Sequence, residues 1–193
     1  MFVENGDKDD PMKWDFDETT GYNTITIEDY PYKILKSRSR AKQRLVANKL
    51  RELRLLNDVV ADEIDNYAEG PGVEIFKYIH KNNKNTSNYL LSEIKPSTGF
   101  SGLNKPKRRI TTSGEHVGPD KNIRARSRDI FLTIDTKTPD ITEDELELFV
   151  HELAHTGANH VTWRPDDHKE DFTSFEKLLW EIIDDNFSRN DGN

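Results

Sequence analysis

From about Ser39 to Tyr67 apolar residues recur at spacings of three and four, at Leu45, Val46, Leu50, Leu53, Leu56, Val59, Val60 and Ile64. That period predicts an amphipathic helix with one stripe turned to a core. Arg38, Arg40, Lys42, Arg44, Lys49, Arg51 and Arg54 flank the stripe, and the breaker cluster Gly70-Pro71-Gly72 should stop the helix. A shorter helix or turn is expected around Val73 to Ile79, and a further element around Tyr89 to Ile94. The following residues, 95–122, are rich in Gly, Pro, Ser and Lys, which reads as a long loop carrying short extended pieces.

Alternation replaces the helical period at Asp129 to Asp135, where Ile130, Leu132 and Ile134 interleave with Phe131 and Thr133 as in a strand. Thr138, Pro139 and Asp140 make a turn. Thr142-Glu143-Asp144-Glu145 then forms a capping box, in which the threonine and the glutamate three residues on satisfy each other's backbone donors and start a helix. Leu146, Phe149, Val150 and Leu153 give it a buried face, and Gly157 is placed to end it. A last helix is expected from about Asp167 to Phe187, its stripe being Phe172, Phe175, Leu178, Leu179, Ile182 and Ile183. Residues 1–30 carry scattered aromatics without a period and an acidic bias. They are expected to form an acidic flexible N-terminal arm, in which Thr24 to Ile27 could add an edge strand. Residues 31–187 would be one domain and 188–193 a frayed tail.

At 193 residues the chain is sized for one domain, and equal hydrophobic and charged fractions of 33% point to a modest core. There are no cysteines, which excludes disulfides, thiolate zinc sites, iron–sulfur clusters and cysteine nucleophiles. Any metal must therefore sit on histidine and carboxylate. No run approaches the eighteen or so apolar residues of a membrane span. The acidic start lacks a basic region followed by an apolar stretch, so no secretory signal is expected. These features favour an intracellular protein, of nucleus or cytoplasm, or a viral one. The net charge of -8 hides a segregation, because residues 31–128 hold 21 bases against 10 acids while both flanks are acidic. A basic middle suits a polyanion; solvated helix faces give the same pattern.

The sharpest chemical signal is His151-Glu152-Leu153-Ala154-His155 on the capped helix. Residues four apart lie one turn above each other, so both imidazoles can grip one ion while Glu152 projects toward a metal-bound water. Zinc held this way lowers the pKa of that water, and Glu152 can serve as general base and then pass the proton to the leaving amine. A catalytic zinc needs a third protein ligand. His168 lies four residues before Phe172 and so shares the inward face of the final helix. His160, five residues after His155, ranks second because it misses by one the H-E-x-x-H-x-x-G-x-x-H spacing. A carboxylate from Glu176 is the fallback.

The stretch HELAHTGANHVTWRPDDHKEDF resembles the active-site segment of the WLM and SprT-like (Spartan-type) zinc metallopeptidases. In those families an H-E-x-x-H helix is followed by a histidine and, four residues later, a phenylalanine on the next helix; the matching positions are His151, Glu152, His155, His168 and Phe172. The upstream LVANKLRELRLLNDVVADEI and RDIFLTI segments are also similar, so the resemblance spans most of residues 41–185. It implies an α+β, zincin-like fold: a small mixed sheet, an H-E-x-x-H active-site helix and a following C-terminal helix. It also implies Zn2+ as cofactor and proteolysis of proteins attached to DNA, the clearance of DNA–protein crosslinks. The substrate is then a protein or peptide, with DNA as a possible partner and no membrane.

A phosphate-binding track could combine Arg38, Arg40, Lys42 and Arg44 with Lys105, Lys107, Arg108 and Arg109 and with Lys121, Arg124, Arg126 and Arg128. No aromatic is regularly interleaved with these, so base stacking is not expected. The polar ends Asp129 and Asp135 and the zincin-like resemblance together imply that the strand over residues 129–135 lies at the sheet edge, where a substrate backbone could add as a further strand; a central strand is the alternative. Two other functions stay compatible with the residues: a narrow-specificity processing hydrolase independent of DNA, and a DNA-binding module with a structural zinc. Glu152 favours an enzyme, since holding an ion does not require it.

Overall fold

Short alternating strands at the N-terminus build one side of a six-stranded sheet. The computed structural model describes residues 11–80, 89–106, 115–117, 123–125, 128–158 and 170–187. β1 (Met12–Phe16), β2 (Tyr22–Ile27) and β3 (Tyr30–Leu35) form an antiparallel meander. Asn23, Ile25 and Ile27 on β2 are buried and the residues between them are half-buried, the period of two that a one-sided strand requires. Glu28 and Asp29 join β2 to β3 with positive φ of 53° and 65°, the backbone of a two-residue hairpin turn whose twist matches that of the strands. Residues 12–16, 22–27 and 30 are thus strand, which corrects the expectation of a flexible arm for that part of 1–30; residues 1–10 lie outside the described residues. Of the acidic residues that suggested an arm, Asp15 is exposed on β1 and Asp17, Glu18, Glu28 and Asp29 lie in the connections between strands, and each strand is too short to stand out by periodicity.

β4 (Tyr89–Glu93), β5 (Gly102–Pro106) and β8 (Arg128–Leu132) complete the sheet in the order β1-β2-β3-β4-β8-β5, while β6 (Glu115–Val117) and β7 (Ile123–Ala125) pair separately. β3–β4 and β4–β8 are parallel and the remaining pairs antiparallel. β8 is therefore interior, flanked on both sides, and among the described residues the edge next to it is β5; the expectation that residues 129–135 form the edge is corrected. Asp135, one of the polar ends that suggested an edge, is instead tied into the fold, as described below. The helices are α1 (Arg40–Glu63), α2 (Pro71–His80), α3 (Glu143–Gly157) and α4 (Glu170–Phe187). Among the described residues the architecture is α+β, with a mixed sheet and four α-helices. Among the described residues no helix is long and apolar enough to cross a membrane.

Register aligns one row of side chains across the sheet: Trp14, Ile25, Tyr32, Leu91, Ile130 and finally Asn104. Ile25, Tyr32, Leu91 and Ile130 are fully buried in a core shared with Val46, Leu50 and Leu53 of α1 and Phe149, Val150 and Leu153 of α3. Ser39 caps α1 by accepting from the backbone N–H of Lys42. Residues of α1 expected only to flank its apolar stripe are partly inside. Arg54 donates to the Tyr32 hydroxyl at 2.8 Å and lies over the Tyr30 ring.

Lys49 is fully buried. Its Nζ reaches Glu145 Oε1 and the Asp135 carbonyl, both at 2.8 Å. Glu145 is the capping-box glutamate of α3, and its carboxylate also accepts from the N–H of Thr142 and of Asp135. One buried ion pair therefore joins α1, the segment after β8 and the first turn of α3. Removing the cation strands a buried carboxylate, so Lys49→Met should cost about 3–5 kcal/mol in urea unfolding. Adding Glu145→Gln, which removes the stranded charge, should recover part of that loss; a loss below 1 kcal/mol for Lys49→Met would contradict the assignment.

His80, at the C-terminal end of α2, is fully buried with its ring 4.4 Å from that of Phe76. Burial, and secondarily the charge of Arg128, hold its imidazole down to about 3. The unfolded chain takes up this proton near pH 6.5 and the folded chain only near pH 3. The contribution to stability is thus complete above pH 6.5 and falls with pH below it, by up to about 1.4 kcal/mol per pH unit. The urea midpoint should drop between pH 7 and pH 5, and His80→Phe should make that drop shallower.

Candidate metal centre

The capping box sets where α3 starts and so the phase of everything on it. Thr142 Oγ1 accepts from the Glu145 N–H at 3.2 Å, and the Glu145 carboxylate accepts from the Thr142 N–H at 2.9 Å, as the sequence pattern requires. Two turns later His151 and His155 share one face of α3. Their ring centroids lie 5.1 Å apart, edge to face, and both residues are half-buried. Phe172 of α4 is buried against both rings, at 4.9 Å from His151 and 4.6 Å from His155. One turn further along α4, Glu176 brings Oε2 to 3.2 Å from His151 Nδ1.

Glu152 faces the sheet rather than α4. It is 5% exposed, and burial pushes its carboxyl up to about 7. Gly102 of the edge strand lies directly over it: a methyl group there would stand 2.7 Å from Glu152 Oε1 and 2.8 Å from Leu148 Cδ1. The lack of a side chain at Gly102 is what lets β5 run this close to the helix.

Asn104, two residues on, fastens strand to helix. Its Nδ2 donates to the Glu152 carbonyl at 2.6 Å and to Thr156 Oγ1 at 2.8 Å, and its Oδ1 accepts from Arg128 Nη1 at 3.0 Å. Sequence reasoning missed Asn104 because its only signal is positional: a polar residue closing an otherwise apolar cross-strand row, which is legible only when β5 and β8 are known to pair. Ser101 accepts from the Thr133 N–H through its backbone carbonyl. By the alternation of an antiparallel pair, Gly102 and Asn104 then turn their own backbone N–H and C=O groups away from β8.

Two imidazoles one helical turn apart, in a chain without thiols, suit a zinc ion. Among the described residues no group of three or more His, Asp or Glu side chains is placed to hold a metal. The expected third ligand His168 and its alternative His160 lie outside the described residues, whereas Glu176 stands beside His151.

The basic residues divide. Arg38, itself half-buried, pairs with Glu93 and also donates to the Ile134 carbonyl, because Glu93 is 1% exposed and a buried carboxylate needs a cation. Arg128 is buried, on Asn104. Lys42 is exposed, and Arg40 and Arg44 place their guanidinium groups 4.9 and 5.9 Å from the Trp14 ring centre. An aromatic brought in from β1 therefore accompanies these basic residues, although none is regularly interleaved with them in sequence. Lys107, Arg108, Arg109 and Arg126 lie outside the described residues, and Arg124 is described only as backbone of β7.

Compared with models of protein families, with curated proteins and with solved structures, the chain matches none.

The far end of α3 is fixed by contact. A methyl at Gly157 would stand 2.1 Å from the Phe175 ring, and one at Gly72 would stand 2.2 Å from the Gly157 carbonyl. α3 does end at Gly157, but no left-handed φ is used there; the glycine admits α2 and α4 at close range. Gly157→Ala should therefore destabilise the protein by about 3 kcal/mol through overpacking. Adding Phe175→Leu should restore part of the loss in thermal unfolding; if the double variant were no better than Gly157→Ala alone, the contact would not be the cause.

Proposed function

We propose that the protein is a zinc-dependent metallopeptidase of the H-E-x-x-H type with a zincin-like arrangement, in which His151, His155 and His168 hold the ion and Glu152 is the general base. One arrangement carries the reading: a buried glutamate between two half-buried histidines on a rigidly capped helix, directly beneath an edge strand. Zinc in such a site supplies electrophilic polarisation of the scissile carbonyl and activates water for attack on it. The chain's own groups do the rest. The Glu152 carboxylate takes a proton from the attacking water and delivers it to the departing amine nitrogen. Phe172 holds the two imidazole rings in place from α4, and Asn104 keeps the edge strand in register with α3. The N–H and C=O groups of Gly102 and Asn104 that point away from β8 can accept an extended peptide as an added strand, a mode of binding that tolerates varied side chains.

The substrate class, DNA-associated proteins, rests on the WLM and SprT-like resemblance and on Arg40, Lys42 and Arg44 at the start of α1. A DNA-independent processing hydrolase is the second reading. It is favoured by the internal engagement of Arg38 and Arg128, which shortens the phosphate track.

The test is degradation of a generic DNA-binding protein by the zinc-loaded protein, with and without single- and double-stranded DNA, beside Glu152→Gln. That variant should bind zinc as the parent does and lose about 100-fold or more of the cleavage rate. Cleavage that needs DNA supports the first substrate class, and cleavage indifferent to DNA supports the second. Stoichiometric zinc with no hydrolysis would leave a structural metal in a binding module, and failure to bind zinc would overturn the reading altogether.

A further inference from the structure

His151 has a partner that the metallopeptidase reading does not use. Glu176 Oε2 stands 3.2 Å from His151 Nδ1, across the α3–α4 interface. An ionised carboxylate can only accept a hydrogen bond, so a neutral His151 in this contact carries its proton on Nδ1. The lone pair is then on Nε2, the nitrogen remote from the carboxylate. Free imidazole side chains populate both tautomers, and the structure offers a reason for one of them to be fixed here.

We infer that Glu176 is a positioning residue that locks His151 in the Nδ1–H tautomer and reserves Nε2 for a metal ion, rather than being a ligand itself. The second half of the inference rests on the zinc-site reading; the first does not. A carboxylate that bonds one ring nitrogen while the other faces the ion fixes both the tautomer and the ring orientation, and raises the basicity of the donor. Phe172, one turn before Glu176 on the same face of α4, packs on the same ring at 4.9 Å and restricts its rotation. Glu176 and His151 are both partly exposed, with side-chain accessibilities of 31% and 38%, so substitution of Glu176 leaves no buried hole.

The test has two arms. In the metal-free protein at pH 8, long-range 1H–15N correlation spectra should show His151 as the Nδ1–H tautomer, with Glu176→Ala shifting it toward a mixture and Glu176→Gln, whose amide oxygen still accepts, retaining it. In competition titrations with zinc, Glu176→Ala should weaken binding 10–100-fold, and Glu176→Gln less. An Nε2–H tautomer in the parent, or a tautomer unmoved by Glu176→Ala, would overturn the inference. So would unchanged zinc affinity in Glu176→Ala, or a cobalt-substituted spectrum showing loss of a carboxylate ligand in that variant. If the parent bound no zinc, the metallopeptidase reading and the reservation of Nε2 for an ion would fall together, while the metal-free spectra would still decide whether Glu176 sets the tautomer.

Discussion

Lys49 and Glu145 form the contact on which the geometry of the candidate site depends. A lysine with no exposed surface is sustained only if its charge is matched and its donors are used, and here a carboxylate and a backbone carbonyl do both. The same carboxylate closes the capping box of α3 and accepts from the Asp135 N–H. The start of α3 is thus bonded to α1 and to the chain leaving β8 at the same point. Because side chains on a helix are placed by their rotation from its first turn, fixing that turn fixes where His151, Glu152 and His155 point.

The other end of this control is the edge strand. Across the sheet, one row of side chains is apolar from Ile25 to Ile130 and then turns polar at Asn104, where the sheet meets α3 instead of solvent. Asn104 binds the carbonyl of Glu152, so the helix residue proposed to move protons and the strand proposed to receive peptide are held by one amide. Gly102 adds the absence of a side chain where the carboxylate needs room. Edge strand, glutamate and histidine pair are consequently joined by hydrogen bonds and packing, with α4 contributing Phe172 and Phe175.

Charge along the chain carries two different messages, and only burial separates them. The basic excess of the middle segment includes Lys49, Arg54 and Arg128, which are consumed inside, and Arg38, which pairs with buried Glu93. Arg40, Lys42 and Arg44 at the start of α1 stay toward the surface, two of them over Trp14. A polyanion would meet a smaller and more aromatic patch than a count of lysines and arginines suggests.

Signals within a few residues of each other were legible in the sequence: the helical stripe of α1, the capping box of α3, the H-E-x-x-H pair one turn apart and the apolar face of α4. They depend on local hydrogen bonds and on helical period, both of which the sequence states directly. Tertiary pairing decided the rest. It turned much of residues 12–30 from an acidic arm into strands, because three short segments bury a face only when joined; it moved β8 from the edge to the interior, because β5 returns antiparallel beside it. It buried Lys49, because Glu145, 96 positions away in sequence, was there to meet it. Asn104 and Glu176 acquired their places in the site the same way, from partners 48 and 25 positions away, at separations over which a linear pattern holds no information about contact.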